Sequence, residues 1–413
     1  MCLVSPRKQE APPQIKRKYI IRDEPFGYTL FNRESLSHRY LLKAELTPLL
    51  LSEEIDCKEC KVLTADVSCS PKNIPYSPIR IYFEITSQCN LRCKICFNRS
   101  GKAKLNELST KDIVNALKRL SADNVIEVRF CGGEPTLRQE WYSIVRYAQE
   151  LGFSTSINTS GVYTHHDKTI HKLSSLNLDQ IAVSIDGDRK YHDYLRGNGT
   201  FEKAIRTIKQ LHSEGARIRV NTILTRGSLR NFSFILDTVA EHIEEINFFY
   251  LRPVGRAEKM PGEMLSYKDL YAFDKSVSLL IKDYPNVRIL HGCKVMLNNS
   301  IDQNIGEKFG LSVGGPDGFT RLNLLADGAV WPGGYTPHIT PQYYLGNILE
   351  QNYSILNIWR HSPILNSFRE KSGEIKNRCF ACPEKNVRCP GACLEMELYR
   401  ETAQSKTNPY CKF

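Results

Sequence analysis

The sequence predicts an α/β protein built on a parallel sheet. Two observations carry that reading. Six short apolar, strand-like runs alternate with helix-period stretches between Ile79 and Tyr250, the pattern of βα units joined by right-handed crossovers. No run of 18 apolar residues occurs in the 413-residue chain, so none of the helices reads as membrane-spanning.

The strands fall at Ile79–Ile85, Val125–Phe130, Phe153–Asn158, Gln180–Ile185, Arg217–Leu224 and Ile246–Tyr250. Helical stretches lie between them at Thr110–Leu120, Gln139–Leu151, Lys168–Leu176, Phe201–His212 and Asn231–His242. Ser109 with Asp112 forms a capping-box pattern at the first helix, and Gly152 and Gly215 stand where helices are expected to stop. In such sheets ligands bind beyond the carboxyl ends of the strands.

Residues 1–74 precede this core. A Pro- and charge-rich start gives way to strand-like Tyr19–Arg22, Phe26–Phe31 and Arg39–Leu42, then a helix start near Pro48. Cys57, Cys60 and Cys69 read either as a further metal site or as plain thiols, since no fourth ligand follows. After Pro285 the pattern changes: Arg321–Leu325 and Ala329–Trp331 flank Asp327-Gly328, a two-residue hairpin signal. The expected division is therefore 1–74, 75–285 and 286–413.

Fourteen cysteines and an N-terminus without a signal-peptide apolar region point to a cytoplasmic protein using thiolates for metals rather than disulfides. The net charge of +11 is dispersed, with no basic stripe interleaved with aromatics, so neither nucleic acid nor a membrane is an expected partner.

The most specific chemistry lies in Ile85-Thr-Ser-Gln-Cys-Asn-Leu-Arg-Cys-Lys-Ile-Cys-Phe97. Cys89, Cys93 and Cys96, spaced C-x3-C-x2-C directly after the first strand, can hold three irons of a four-iron cubane. The fourth iron then stays open to a chelating molecule. A closed zinc site would need a fourth Cys or His nearby, and none follows. One βα unit later stands Cys131-Gly-Gly-Glu-Pro-Thr-Leu137, where glycines allow close backbone approach and Glu134 supplies a carboxylate for a cationic amine.

These motifs together resemble the radical S-adenosylmethionine (radical SAM) superfamily. The resemblance implies a partial (β/α)6 TIM-like barrel over about 77–284, with a [4Fe–4S] cluster on Cys89, Cys93 and Cys96. It assigns Gly132, Gly133 and Glu134 to the methionine amine of SAM. Asn158-Thr-Ser-Gly161 and Ser184 fall near the ribose, and Arg196 near the methionine carboxylate, where a guanidinium can make two parallel bonds. Asn221 and Leu251 border the adenine. Residue 95, usually aromatic in the family, is Ile95 here. The implied reaction is one-electron cleavage of SAM to methionine and a 5′-deoxyadenosyl radical, which abstracts hydrogen from a substrate. The electron comes from a low-potential donor of flavodoxin or ferredoxin type.

Cys379-x2-Cys382-x6-Cys389-x3-Cys393 and Cys411 crowd five cysteines into 33 residues with Pro383, Pro390 and Gly391, a lobe nucleated by metal rather than by an apolar core. Spacing alone leaves zinc and iron–sulfur equally open. The array resembles the SPASM extension, which binds auxiliary [4Fe–4S] clusters. Asp327-Gly-Ala-Val-Trp-Pro332, Leu345-Gly-Asn-Ile348 and Ile358-Trp359 follow the order seen in that family. Mapped so, Cys379, Cys382, Cys389 and Cys411 enclose a distal cluster, while Cys293 and Cys393 serve a nearer one. Gly333 stands where the family has a further cysteine. The nearer cluster then takes another ligand, keeps an open iron, or is missing.

The function expected is a radical SAM/SPASM enzyme that modifies a ribosomally made peptide or protein. The alternatives are a SPASM enzyme acting on a small molecule such as a haem precursor, which the Arg252-Pro-Val-Gly-Arg256 turn also resembles, or a non-catalytic iron–sulfur protein. The N-terminal segment reads either as a peptide-recognition module or as a cap over the barrel.

Overall fold

The computed structural model describes residues 16–51, 55–68, 70–71, 74–291, 316–378 and 394–402. Strands β1 (Tyr19–Glu24), β2 (Gly27–Asn32) and β3 (Ser37–Leu42) form an antiparallel meander, and β4 (Cys60–Leu63) lies parallel to β1 at the other edge. Helix α1 (Lys43–Leu51) starts five residues before Pro48 and carries that proline inside it.

The larger sheet holds β5 (Arg80–Thr86), β6 (Glu127–Gly132), β7 (Ser154–Thr159), β8 (Gln180–Ser184), β9 (Ile218–Leu224) and β10 (Glu245–Tyr250), all parallel and adjacent in sequence order. The α/β partial-barrel reading stands. Helices α2 (Thr110–Ala122), α3 (Trp141–Glu150), α4 (His166–Ser175), α5 (Arg189–Arg196), α6 (Thr200–Ser213), α7 (Ser233–Val239) and α8 (Tyr267–Leu280) follow the strands. The Ser109–Asp112 capping box is present at α2. Gly152 and Gly215, at φ +85 and +79, end α3 and α6.

Alternation along the strands sorts the residues into two layers. Ile81, Phe83, Val128, Phe130, Ile157, Val183, Val220, Ile246 and Phe248 point outward and are buried against the helices. Each such side chain contributes roughly 1.5–3 kcal/mol when fully buried. The opposite positions, among them Arg80, Tyr82, Glu84, Glu127, Arg129, Arg219, Asn221, Glu245 and Asn247, face a polar lumen.

Two extensions were not legible as part of this sheet. Strand β11 (Arg288–His291) adds in parallel to β10, and β12 (Arg321–Leu324) adds in parallel to β5, with β13 (Val330–Trp331) antiparallel outside it. The Asp327-Gly328 hairpin is therefore present, but its first strand belongs to the barrel sheet. The small sheet packs against the amino ends of the strands, with Ile20, Phe26, Phe31 and Tyr40 meeting Ile79 and Ile126. Among the described residues no helix is long and apolar enough to cross a membrane.

Candidate functional site: a three-cysteine loop at the barrel mouth

The loop after β5 is tied at its base. Gln88 bridges Gly101, the Cys89 N–H donates to the Gly101 carbonyl at 2.8 Å, and the Gly101 N–H donates to Ser87 at 3.1 Å. Cys93 is buried, while Cys89 and Cys96 are half-buried. All three pack with Leu91, Ile95, Val162, Leu195, Leu251 and Ala257 in one apolar bowl, built from the loops after β5, β7 and β10 and from α5. Ile95 thus fills an apolar contact where an aromatic ring would otherwise stack.

Burial pushes the Cys89 thiol up to about 11, reinforced by Glu134 and the other two sulfurs. Burial also raises Cys93, with Arg196 opposing. The three thiols therefore sit within one another's field. Among the described residues no three His, Cys, Asp or Glu side chains converge tightly enough for a single metal ion. Three thiols in one bowl are the donor set of a [4Fe–4S] cluster with one iron left open. Loading it expels the thiol protons. The Leu91 N–H already donates to Cys89 Sγ at 3.4 Å.

Gly132 and Gly133 press against the strand leading into this loop. A Cβ on Gly132, which sits at φ +135, would lie 2.1 Å from the Thr86 carbonyl oxygen, and one on Gly133 would lie 2.1 Å from that of Gln88. The Gly133 and Glu134 N–H groups donate to those same carbonyls at 2.9 and 2.7 Å. Only glycine permits that approach.

Glu134 differs from expectation. Its carboxylate is fully buried and accepts from Thr136 Oγ1 at 2.8 Å, Thr159 Oγ1 at 2.9 Å, and the N–H and Oγ of Ser160 at 2.8 Å each. It therefore locks the β6 turn to the β7 turn instead of waiting bare for an ammonium. Threonine and serine 25 and 26 residues away carry no spacing signal that would have exposed this.

Arg196 closes α5, a helix whose eight mostly polar residues gave no clear period in the sequence. Its Nε pairs with Asp186 just beyond β8. Asp186 is fully buried and also accepts from the Ile223 N–H at 2.8 Å, while its own N–H donates to His192 Nδ1 at 3.2 Å. This ion pair keeps Arg196 charged despite burial, helped by Cys93 and Cys96. With Nε engaged, the outer edge of the guanidinium remains for an anion near the cysteine loop. The Lys94 N–H donates to the Leu195 carbonyl at 2.8 Å, so helix and loop are joined. Ser184, half-buried at the end of β8, pairs in register with Asn221. Asn158 Oδ1 and Asn221 Oδ1 are buried without a hydrogen-bond partner among the described residues. Orphaned acceptors beside an apolar bowl and a guanidinium fit a ligand with hydroxyl, amino and carboxylate groups.

A further group was missed altogether. Glu84, on the lumen side of β5, accepts from Asn98 Nδ2 at 2.5 Å, and burial pushes it up to about 7. Asn98 in turn meets His338 Nε2 at 2.9 Å, linking the cysteine loop to the C-terminal region. There, the place a Gly333 side chain would fill is taken by carboxylates. A Cβ would lie 2.5 Å from Glu395 Oε1 and 2.7 Å from Asp317 Cγ. Cys293, Cys379, Cys382, Cys389, Cys393 and Cys411 lie outside the described residues, as does Cys69. Cys57 is exposed and Cys60 half-buried, both as free thiols.

A parallel partial barrel carrying three free thiols at its carboxyl mouth, beside a Gly-Gly-Glu turn and a half-buried arginine, defines the class of enzymes that build an open cluster in a barrel. Residues 83–229 match the radical SAM superfamily model, and residues 316–383 match that of an iron–sulfur cluster-binding domain, SPASM. The chain carries a radical SAM domain and a SPASM domain, and it is an enzyme whose cofactors are [4Fe–4S] clusters and SAM. The mycofactocin maturase MftC of Mycolicibacterium smegmatis is 27% identical over 81% of this chain and 83% of its own. An AdoMet-dependent heme synthase of Oleidesulfovibrio alaskensis is 26% identical over 81% of this chain and 87% of its own. In fold, Streptococcus suis SuiB bound to its precursor peptide SuiA matches 96% of this chain and 98% of that one, with a TM-score of 0.72 and 18% identity.

Proposed function

We propose that this enzyme modifies a ribosomally made peptide or protein, with Cys89, Cys93 and Cys96 holding the SAM-binding cluster. The observation that carries the substrate reading is the breadth of the SuiB likeness. A match over 96% of the chain leaves too little uncovered to omit the β1–β4 sheet, so the whole arrangement, small sheet included, is one solved elsewhere with a precursor peptide. The maturase relative spans most of the chain as well.

When bound, the reduced cluster and SAM supply a 5′-deoxyadenosyl radical that abstracts hydrogen from the substrate. The chain's own residues do the rest. The Gly132–Gly133 turn, braced by Glu134, offers backbone carbonyls to the methionine amine, and Arg196, seated on Asp186, takes the carboxylate. Ser184 and Asn158 meet the ribose side, while Asn221 borders the adenine and Leu251 and Ile95 exclude water from it. A flavodoxin- or ferredoxin-type protein delivers the electron, and Cys379, Cys382, Cys389, Cys393, Cys411 and Cys293 carry one or two auxiliary clusters. Domain limits of 1–74, 75–285 and 286–413 complete the reading.

The test is anaerobic incubation of reconstituted, reduced enzyme with SAM and a short peptide encoded beside its gene. A mass change on the peptide, together with 5′-deoxyadenosine, is expected. Turnover of iron coproporphyrin with an inert peptide would instead favour the small-molecule reading, which the heme synthase relative supports. Absence of 5′-deoxyadenosine under every condition would sink both.

A further inference from the structure

The cysteine loop has a backbone clamp that lies far away in sequence. Its own hydrogen bonds secure Cys89 at the base and close one turn from the Cys96 N–H to the Cys93 carbonyl at 3.3 Å. The carbonyls beyond are taken by one residue after β10. Arg256 Nε donates to the Cys93 carbonyl at 2.7 Å, its Nη1 donates to that of Ser100 at 3.0 Å, and its N–H donates to that of Cys96 at 2.9 Å.

Gly255 makes the approach possible. It sits at φ +66, and a Cβ there would fall 2.2 Å from the Phe97 carbonyl oxygen and 2.6 Å from that of Cys96. No side chain fits between two backbones so close. The turn is braced in its own right: Glu258 accepts from the Gly255 N–H at 3.1 Å and pairs with Arg99 of the loop at 2.6 Å. Fixing a carbonyl fixes its whole peptide plane, so the clamp sets the backbone that aims Cys93 and Cys96. It also places a guanidinium charge beside them.

We infer that Arg256, seated by Gly255, is a positioning residue for the SAM-binding cluster. It holds two of the three ligands in register and stabilises the cluster's reduced, more negative state. This rests on the reading of Cys89, Cys93 and Cys96 as cluster ligands. Hydrogen-bonded partners one step behind metal ligands typically alter affinity by about 10–100-fold, and charge near an iron–sulfur cluster moves its potential.

The experiment uses the full-length holoenzyme, with a C89A/C93A/C96A variant as the spectral blank for the auxiliary clusters. Three readouts apply to Arg256→Met, Arg256→Lys and Gly255→Ala: iron loss to a chelator, potentiometric midpoint, and the SAM-induced change in the electron paramagnetic resonance of the reduced cluster. R256M is expected to lose iron about tenfold faster and to show a lower midpoint. R256K retains the charge but not the fork, so its midpoint stays near wild type while iron loss remains fast. G255A keeps every charge yet changes the SAM-induced spectrum. Wild-type values for R256M and G255A on all three would overturn the inference. A wild-type enzyme with no SAM-sensitive signal over the blank would overturn the ligand reading first, and the clamp with it. Should R256M fail to melt cooperatively, R256K and G255A decide on the same criteria.

Discussion

The two ends of one lumen treat buried charge in opposite ways. Near the floor, Glu127 accepts from Arg80 and Arg129. Burial alone would raise its carboxyl, but the two guanidiniums outweigh it and hold the group below its ordinary range. Nearer the mouth, burial outweighs the Asn98 amide and the Lys104 charge and lifts Glu84 to about 7. Beneath the floor, Arg22 is fully buried and spends its guanidinium on Glu24, on Ser77 Oγ and on the carbonyls of Ser77, Pro78 and Asn124. At the mouth, Asn158 and Asn221 keep acceptors with no partner among the described residues. At the floor Glu127 is compensated within the chain, while burial still raises Glu24 beneath it and Arg219 Nε and His38 Nε2 find no partner among the described residues. Near the mouth burial outweighs the partners of Glu84, the kind of perturbed carboxyl that functional sites gather.

That contrast can be broken at either end. The largest effect is expected at the mouth. Cys93→Ala should reduce 5′-deoxyadenosine formation to background and remove about four irons per chain, with a far-UV spectrum like wild type. Unchanged iron would place the cluster elsewhere. At the floor, Arg22→Ala strands Glu24 without its counter-charge, and breaking a buried pair in this way costs about 3–5 kcal/mol. Urea unfolding should show that loss, and one below about 1 kcal/mol would mean the floor relaxes.

A pH experiment separates the two carboxylates. The folded Glu84 carboxyl, near 7, lies above its ordinary 4.5. The native state therefore binds the extra proton between those values. Its stabilising share is complete below 4.5 and fades as pH rises through 7, by on the order of 3 kcal/mol. Glu84→Gln should thus unfold with a flatter pH dependence than wild type, gaining on it as pH rises. Parallel curves would show that Glu84 titrates normally. The smallest effect sharpens the mouth. Arg196→Lys keeps the charge but loses the planar fork. It should weaken SAM binding by roughly thirtyfold, or about 2 kcal/mol, in equilibrium titration of the holoenzyme.

Much of this was legible before any coordinates. Each of the six barrel strands begins within two residues of its predicted start, because apolar alternation and glycine stops are local signals. The cysteine loop was found through its spacing, the Gly-Gly-Glu turn and Arg196 through the family resemblance, and the structure brings all of them to one mouth. Helix α5 was missed because eight residues with two buried apolar-face positions, His192 and Leu195, give too short a period to detect. Strand β11 was hidden after Pro285, and the sheet that β12 joins was invisible because pairing with β5 spans about 240 residues.

Local order sufficed to specify a parallel α/β sheet and three thiols close enough to share a cluster, since both depend on neighbours a few residues apart. Which groups saturate which was settled only in three dimensions. Arg256 and Cys93 stand 163 positions apart, and Glu134 reaches Ser160 across two turns. Buried electrostatics depends on what folding brings into contact, and no linear spacing encodes that.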